Sequence, residues 1–343
     1  MSEIGLGEAA RLVVRALDAA EIPTGLVNVP LAGRMAEAAF AERVATADRH
    51  GTALSIAGAT QLAKFARRSC RGQMNIAYPY WELPTFPKAW SRVFQGFDTY
   101  WAPTTFIRDM LMSCQDRPVQ LIPQPVVLPD TSPAPRESHG PLKVFTFFDY
   151  DSFMSRKNPM GAIRAFLAAF PAGTEDVELV IKARGAPSEQ SRTELLDLAR
   201  TDRRIKVLDR LVSRAEMTAL MADCDVFISL HRSEGFGLGC AEAMAQGKIV
   251  VATDFGGTRD FISAETGYPV AFAPVALTAE DYPGAHGSHW AEPSIEHAVS
   301  ILQDIYSDPA RATERSMAGF RHLQKNNSFA AVGAKIRAAL AAG

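Results

Sequence analysis

The chain has 343 residues, of which 47% are hydrophobic, 22% charged and 9% aromatic. That profile excludes disordered, collagen-like and coiled-coil classes. Its 36 Lys and Arg against 38 Asp and Glu leave a formal net charge of −2, so there is no global basic field for non-specific nucleic-acid binding. In chain order, residues 8–20 read as an Ala-rich amphipathic helix, 24–29 as a strand, 34–49 as a helix and 52–57 as a strand. Strand candidates follow at 74–78, 97–101 and 119–122. A Pro/Ser/Gly-rich stretch at 128–141 is the one strong linker signal.

From residue 142 two periods alternate. Strands are expected at 142–148, 177–181, 204–208, 226–230 and 249–253, with helices at 159–170, 188–200, 214–222 and 238–246 between them. Strands alternating with helices of ten to fifteen residues predict βαβ units on a parallel sheet. The fold class is therefore α/β, with two doubly wound Rossmann-like domains that bind ligand beyond the carboxyl ends of their strands. The boundaries are 1–135, a linker at 136–141 and 142–325, with a C-terminal helix at 326–343 placed to return to the first domain.

Four scattered cysteines, Cys70, Cys114, Cys224 and Cys240, include no C-x-x-C pair, so neither a zinc knuckle nor a disulfide framework is expected. The run Lys64, Arg67, Arg68 and Arg71 reads as a solvated helix face. The first residues lack a signal-peptide pattern, and no apolar stretch reaches the roughly 18 residues of a membrane span. The expectation is a cytoplasmic protein with no transmembrane segment, with peripheral contact at the inner face of a membrane left open.

The informative segment runs from Ser233 to Gly247. It follows an apolar strand and opens a helix, with Gly235, Gly237 and Gly239 at alternate positions. Such glycines let backbone amides approach a ligand at a helix N-terminus, where a phosphate or polarised hydroxyl is well held. Glu234 precedes the helix and Glu242 lies about one turn into it, so the two can accept from two parts of one polyhydroxylated ligand. Standing alone, Glu242 reads first as a solvated glutamate favoured by the helix dipole.

The segment resembles the E-x7-E motif of the retaining family 4 (group 1) glycosyltransferases of the GT-B fold. His231-Arg232-Ser233 is similar to that family's lead-in, and Gln246 to Thr253 with Gly256-Gly257 to its continuation, Lys248-Ile249 replacing the usual Pro-Val. Arg156-Lys157-Asn158-Pro159 resembles its phosphate loop. Tyr80-Trp81-Glu82-Leu83 and Trp101-Ala102-Pro103-Thr104 resemble one bacterial branch, as does an N-terminal glycine loop carrying Gly5 and Gly7. The resemblance implies a nucleotide-sugar donor with Glu234 and Lys157 as catalytic residues. Donor contacts would come from Glu242, Gly235, Phe236, Gly237, Leu238, Arg156, Lys182 and Leu211. Gly5, Gly7, Trp81 and Glu82 would lie on the acceptor side or in the cleft. Lys182, at the end of an apolar run, reads equally as a snorkelling strand-end lysine.

Three departures stand out. The strand that normally precedes the N-terminal glycine loop is missing; Ser55 to Ala59 carries no histidine; and Phe148 to Asp151 replaces a G-R pair. Asp149-Tyr150-Asp151 and Asp223-Cys224-Asp225 match D-x-D, but the resemblance implies diphosphate neutralisation with no metal and no cofactor. The expected function is transfer of a hexose from a nucleotide sugar to a glycan or lipid-linked acceptor with retention, in bacterial-type surface polysaccharide synthesis. The alternatives are a non-catalytic nucleotide- or glycan-binding GT-B protein and a GT-B sugar epimerase or phosphorylase.

Overall fold

Apolar runs that scarcely alternate, such as Val144 to Phe148 and Ile249 to Val251, need cover on both faces, and a parallel sheet flanked by helices supplies it. The computed structural model describes residues 5–27, 40, 43, 51–64, 74–133 and 140–342. The chain divides into two units, Met1–Val127 with Gln324–Gly343, and Leu128–Leu323.

The first unit opens with helix α1 (Gly5–Ala19) and continues through β1 (Thr52–Gly58), β2 (Met74–Tyr80), β3 (Thr99–Ala102), α2 (Thr105–Cys114) and β4 (Val119–Leu121). The strands are parallel and lie in the order β1-β2-β3-β4. Thr104 caps α2, its hydroxyl accepting from the Ile107 amide at 3.2 Å, while Tyr78, Tyr100 and Trp101 fill the interior. The glycine loop expected at the N-terminus is a helix instead. Gly5 and Gly7 form the first turn of α1, which buries Ala9, Leu12, Val13, Ala16 and Leu17 along one face. Glu8 locks that turn by accepting from Arg11 at 2.8 Å. Of the strand expected at 24–29, residues 24–27 are described and form a single bridge at Leu26, which donates to the Arg43 carbonyl at 3.1 Å; most of the helix expected at 34–49 lies outside the described residues.

The second unit carries β5 (Leu142–Asp149), α3 (Met154–Lys157), α4 (Pro159–Ala169), β6 (Val177–Arg184), α5 (Glu189–Ala199), β7 (Ile205–Asp209), α6 (Arg214–Asp223), β8 (Val226–Ser229), α7 (Leu238–Ala245), β9 (Ile249–Thr253) and β10 (Tyr268–Val270). A hairpin, β11 (Phe272–Ala276) with β12 (His289–Pro293), leads into α8 (Ile295–Ser307) and α9 (Pro309–Asn326). The last helix, α10 (Phe329–Ala341), belongs to the first unit, where Arg15 of α1 lies 4.4 Å over the Phe329 ring. Six parallel strands form one sheet in the order β10-β9-β8-β5-β6-β7. Val144, Leu179, Ile181, Val226 and Ile228 meet Ile163 and Phe166 of α4 and Leu302 and Ile305 of α8 in a single core.

That strand order places the site. From β5 the chain winds outward through β6 and β7, then returns to β8 and winds the other way through β9 and β10. The loops leaving β5 and β8 therefore start from neighbouring strands at the carboxyl edge of the sheet, the topological switch point at which doubly wound sheets bind their ligands. Residues 150–158 and 230–238 occupy those two loops.

Candidate active site

Glu234 lies in the loop after β8, with its side chain 13% exposed. Lys157 Nζ donates to its Oε1, and the Arg156 guanidinium stands 3.3 Å from its Oε2. Both cations come from α3, the single turn after β5, which the sequence had suggested as a loop. The turn forms because the Phe153 carbonyl accepts from the Arg156 and Lys157 amides at 3.0 and 3.1 Å. Asn158 ends it in the left-handed region and caps α4, its Oδ1 accepting from the Gly161 amide at 3.1 Å with Pro159 at the first helical position. Asn158 also donates to the Leu230 carbonyl at 2.8 Å, and Arg156 Nη1 to the Ser233 carbonyl at 2.7 Å. The two loops are thus stitched together side by side.

Burial alone would push the Glu234 carboxyl up. The charges of Lys157 and Arg156 outweigh it and, with the Lys157 hydrogen bond, hold the group down at about 2. Glu234 is therefore a carboxylate at neutral pH, an acceptor for hydroxyl groups. His231, wholly buried, makes the opposite choice: burial lowers its pKa, so the ring is neutral. Its Nε2–H donates to the Phe255 carbonyl at 3.0 Å, leaving Nδ1 to accept from Ser229 Oγ at 3.0 Å.

Phe255 leads into the turn beneath Glu234. The Gly257 amide donates to the Glu234 carbonyl at 2.7 Å, and Gly256 (φ +87°) passes so close that a Cβ there would sit 2.4 Å from that oxygen. Gly237 (φ +85°) starts α7 with no side-chain cap, and a Cβ there would strike the Thr258 methyl at 2.4 Å. Gly235, Phe236 and Gly237 are buried, Leu238 opens α7, and Glu242 stands half-buried on its second turn.

Lys182 does not join this cluster. It lies within β6 rather than at the strand's end, paired with Phe147 and Leu208 and only 4% exposed. Burial, then the neighbouring Arg184 charge, lowers its pKa. Asp149 and Asp209 are its acidic neighbours. A pocket of about 200 Å³ opens beside them, lined by Arg184, Arg192, Asp209, Arg210 and Leu211 among others. Leu211 is 78% exposed at its rim. Tyr150, unmarked by the sequence reading, turns a buried hydroxyl towards the same charges; burial and then Asp209 push it up to about 12.

In the first unit, Trp81 is core rather than an open ligand platform. It is 4% exposed, its indole N–H donates to the Thr85 carbonyl at 2.8 Å, and its ring meets Phe86 edge-on. Glu82 beside it is half-buried, and Gly5 and Gly7 are helical.

The carboxylates of the two D-x-D segments serve the fold. Asp149 accepts from Arg184 Nε at 2.8 Å and from the Asp151 amide at 2.9 Å. Asp223 pairs with Lys143 Nζ at 2.5 Å, and Asp225 accepts from the Lys143 amide at 2.8 Å.

The stretch that holds this cluster is also the stretch that comparison with known proteins picks out. Residues 152–280 match the family model described as glycosyl transferases group 1. No curated protein matches. Among solved structures, HepE (Alr3699) of Anabaena, bound to UDP and glucose, aligns over 86% of this chain and 78% of its own with 16% identity and a TM-score of 0.67. The same protein bound to UDP-glucose gives 0.65. The pneumococcal O-GlcNAc transferase GtfA, bound to UDP and GlcNAc, aligns over 80% of this chain and 53% of its own, at 12% identity and a TM-score of 0.59. The chain has the α/β, parallel-sheet fold of the GT-B glycosyltransferases. No helix among the described residues is long and apolar enough to cross a membrane.

Sequence reasoning overlooked Phe153, Tyr282 and Glu292, and took Arg232 only as part of a lead-in. Arg232 links the two loops, its backbone N–H donating to the Arg156 carbonyl at 2.7 Å and its Nη1 to the Ser155 carbonyl at 2.5 Å. An arginine just before the motif was the available signal; nothing in the local pattern marked the others.

Proposed function

We propose that the protein is a retaining glycosyltransferase that moves a hexose from a nucleoside diphosphate sugar to a glycan or lipid-linked acceptor, in surface polysaccharide synthesis. The observation that carries this reading is the cluster in which Lys157 and Arg156 flank the Glu234 carboxylate at the topological switch point, within the group 1 match. Glu234 would accept from hydroxyls of the donor sugar. Lys157 and the amides from Gly235 to Leu238 would face the diphosphate, where negative charge grows as the glycosidic bond breaks. Fixed donors there need no reorganisation during the step, and they do the neutralising without a metal or other cofactor. Glu242 would hold the ribose hydroxyls. The pocket beside Arg184 and Asp209, with Leu211 at its rim, would take the base. Lys182, whose neighbours Arg184 and Asp209 line that pocket, would add positive charge to that end of the donor site. Because the structural neighbours bind UDP, UDP-glucose or UDP with GlcNAc, UDP-hexoses are the donors to try first.

The test is release of UDP from labelled UDP-glucose and UDP-GlcNAc in the presence of candidate lipid-linked acceptors, with the product anomer read by NMR. Turnover with a retained anomer supports the reading. Thermal stabilisation by UDP without release would make the protein a nucleotide-binding member of the fold instead. If UDP, GDP, ADP and dTDP all leave the unfolding transition unmoved, the donor-site assignment falls; a ligand at 100 times its Kd adds about 2.7 kcal/mol, which is readily seen.

A further inference from the structure

A turn of four residues cannot hold its own shape, because helix nucleation is unfavourable and one turn gains little in return. Helix α3 is such a turn, and it presents both cations that flank Glu234. Its N-cap, Phe153, has φ +63° and ψ +97°, and its side chain makes no capping bond. A phenylalanine in that conformation persists only where its surroundings dictate it. Phe153 is 40% exposed, and the hairpin of β11 and β12 supplies a neighbour for its ring.

Tyr282, in the hairpin loop, packs its ring on Phe153 with centroids 4.7 Å apart. In the middle of the turn, Arg232 donates from Nη1 to the Ser155 carbonyl. Glu292 of β12 grips the same guanidinium with both oxygens, at 2.6 Å from Nε and 3.0 Å from Nη2. The Ala291 amide donates to the Arg232 carbonyl at 2.9 Å, and Trp290 lies 5.7 Å beneath the guanidinium. The hairpin therefore holds α3 at two points, at its start through Phe153 and at its middle through Arg232. Tyr282 and Glu292 both lie beyond the stretch matched by the family model.

We infer that the hairpin Phe272–Pro293 is a brace that sets α3, and with it Lys157 and Arg156, against Glu234, with Tyr282, Arg232 and Glu292 as positioning residues. The inference rests on the donor-site reading only for its consequence in nucleotide binding; the bracing itself is a property of the unliganded chain. An arginine shared in fork geometry between a carboxylate and a carbonyl fixes direction as well as distance, which suits it to this task.

The experiment uses the full chain and two readouts. The first is hydrogen–deuterium exchange of the 156–158 amides, which donate to the Phe153 and Met154 carbonyls. In a Tyr282→Ala/Glu292→Ala double variant these amides should exchange about tenfold faster or more, while those of β5 and β8 keep their wild-type rates. Tyr282→Phe alone, which keeps the ring, should stay near wild type. Unchanged exchange at 156–158 overturns the brace, and equal acceleration in β5 and β8 reduces the hairpin to general scaffolding, which also overturns it. The second readout is UDP affinity by calorimetry. The double variant should bind about tenfold more weakly, and in a Lys157→Ala background that further loss should vanish, because the hairpin acts through the turn. An undiminished loss in that background overturns action through Lys157. If the wild-type chain itself binds no nucleoside diphosphate, the donor-site reading fails while the exchange result still decides the brace.

Discussion

The guanidinium of Arg156, its side chain 5% exposed, stands 3.3 Å from Glu234 Oε2 and closes the inner side of the carboxylate. Lys157, at 24%, closes the outer side. The two cations are neighbours in sequence yet differ in what they hold. Arg156 also donates to the Ser233 and Ser152 carbonyls, at 2.7 and 3.2 Å, so it ties the loop after β8 to the loop after β5. Removing one partner of a buried ion pair leaves a charge and its acceptors unmet. Arg156→Ala should therefore destabilise the fold by roughly 2–4 kcal/mol, and Lys157→Ala by about 1 kcal/mol while weakening UDP binding at least as much. Urea unfolding of both variants beside UDP titrations checks this. A larger stability loss from Lys157→Ala would reverse the assignment of the two roles.

The same cluster sets a pH dependence. The Glu234 carboxyl lies at about 2 in the fold against an ordinary 4.5. A depressed carboxyl stabilises the fold above its unfolded pKa, and that contribution is lost as pH falls through the folded one. The window therefore runs from about pH 4.5 down to 2, with roughly 3 kcal/mol at stake in full and about 1 kcal/mol gone by pH 3.5. Unfolding free energies between pH 6 and 3.5 should show wild type losing more stability than Glu234→Gln over that range. Parallel curves for the two would mean that Glu234 does not titrate as its surroundings dictate.

Much of the second unit was legible because its central strands are largely buried and its helices are well punctuated. Apolar runs marked β5, β6, β8 and β9, and Asn158-Pro159 marked the start of α4. The resemblance named Lys157 and Glu234 separately, one for the diphosphate and one for the sugar; their ion pair comes from the fold, since both lie just past strands that meet at the switch point. What stayed hidden depends on contacts between residues far apart in sequence. Glu292 reaches Arg232 across 60 positions, and Tyr282 reaches Phe153 across the whole of the sheet's winding, with no local period to announce either. The N-terminal glycine loop was expected from a resemblance of the segment carrying Gly5 and Gly7, but the apolar stripe that begins at Ala9 carries the helix back over both glycines. Trp81 owes its expected place on the acceptor side or in the cleft to a resemblance of its segment, and a resemblance does not show that the ring is only 4% exposed.

The turn under Glu234 offers a test with no change of charge. Gly256 has φ +87°, and a Cβ would come 2.4 Å from the Glu234 carbonyl oxygen, a backbone atom that cannot swing away. Gly256→Ala should thus displace the loop carrying Glu234. Activity should fall by at least tenfold and the melting temperature should drop, whereas Gly173→Ala, also at positive φ but with open space around it, should affect stability alone. Full activity in Gly256→Ala would show that the loop tolerates movement the reaction does not need.

Metal chelation should leave turnover intact. The D-x-D carboxylates are engaged by Arg184, Lys143 and backbone amides, and freeing them for a cation would break those bonds. Activity measured in excess EDTA should match that of the untreated protein within about twofold, a difference of about 0.4 kcal/mol in the barrier. Loss on chelation with recovery on adding Mn²⁺ or Mg²⁺ would restore the D-x-D reading.

The two glutamates of the motif should separate by what each touches. Glu242, on the second turn of α7, would hold the ribose, a part of the donor that does not change during the reaction. Its interaction is the same in ground and transition states, so Glu242→Gln should mainly raise donor KM and weaken free UDP binding by a similar factor. Glu234, held as a carboxylate by Lys157 and Arg156, would orient the sugar on which positive charge develops. Glu234→Gln should lower kcat by something on the order of 10²-fold while leaving UDP affinity nearly intact, because UDP lacks the group it holds. Glutamine keeps the size of the side chain and one acceptor, and circular dichroism with thermal unfolding checks that both variants fold before their kinetics are compared. Steady-state kinetics and UDP calorimetry on both variants then decide. If kcat and KM stay within about twofold of wild type in each, Glu242 is a solvated helix glutamate, Glu234 is a structural partner of α3, and the catalytic assignment fails.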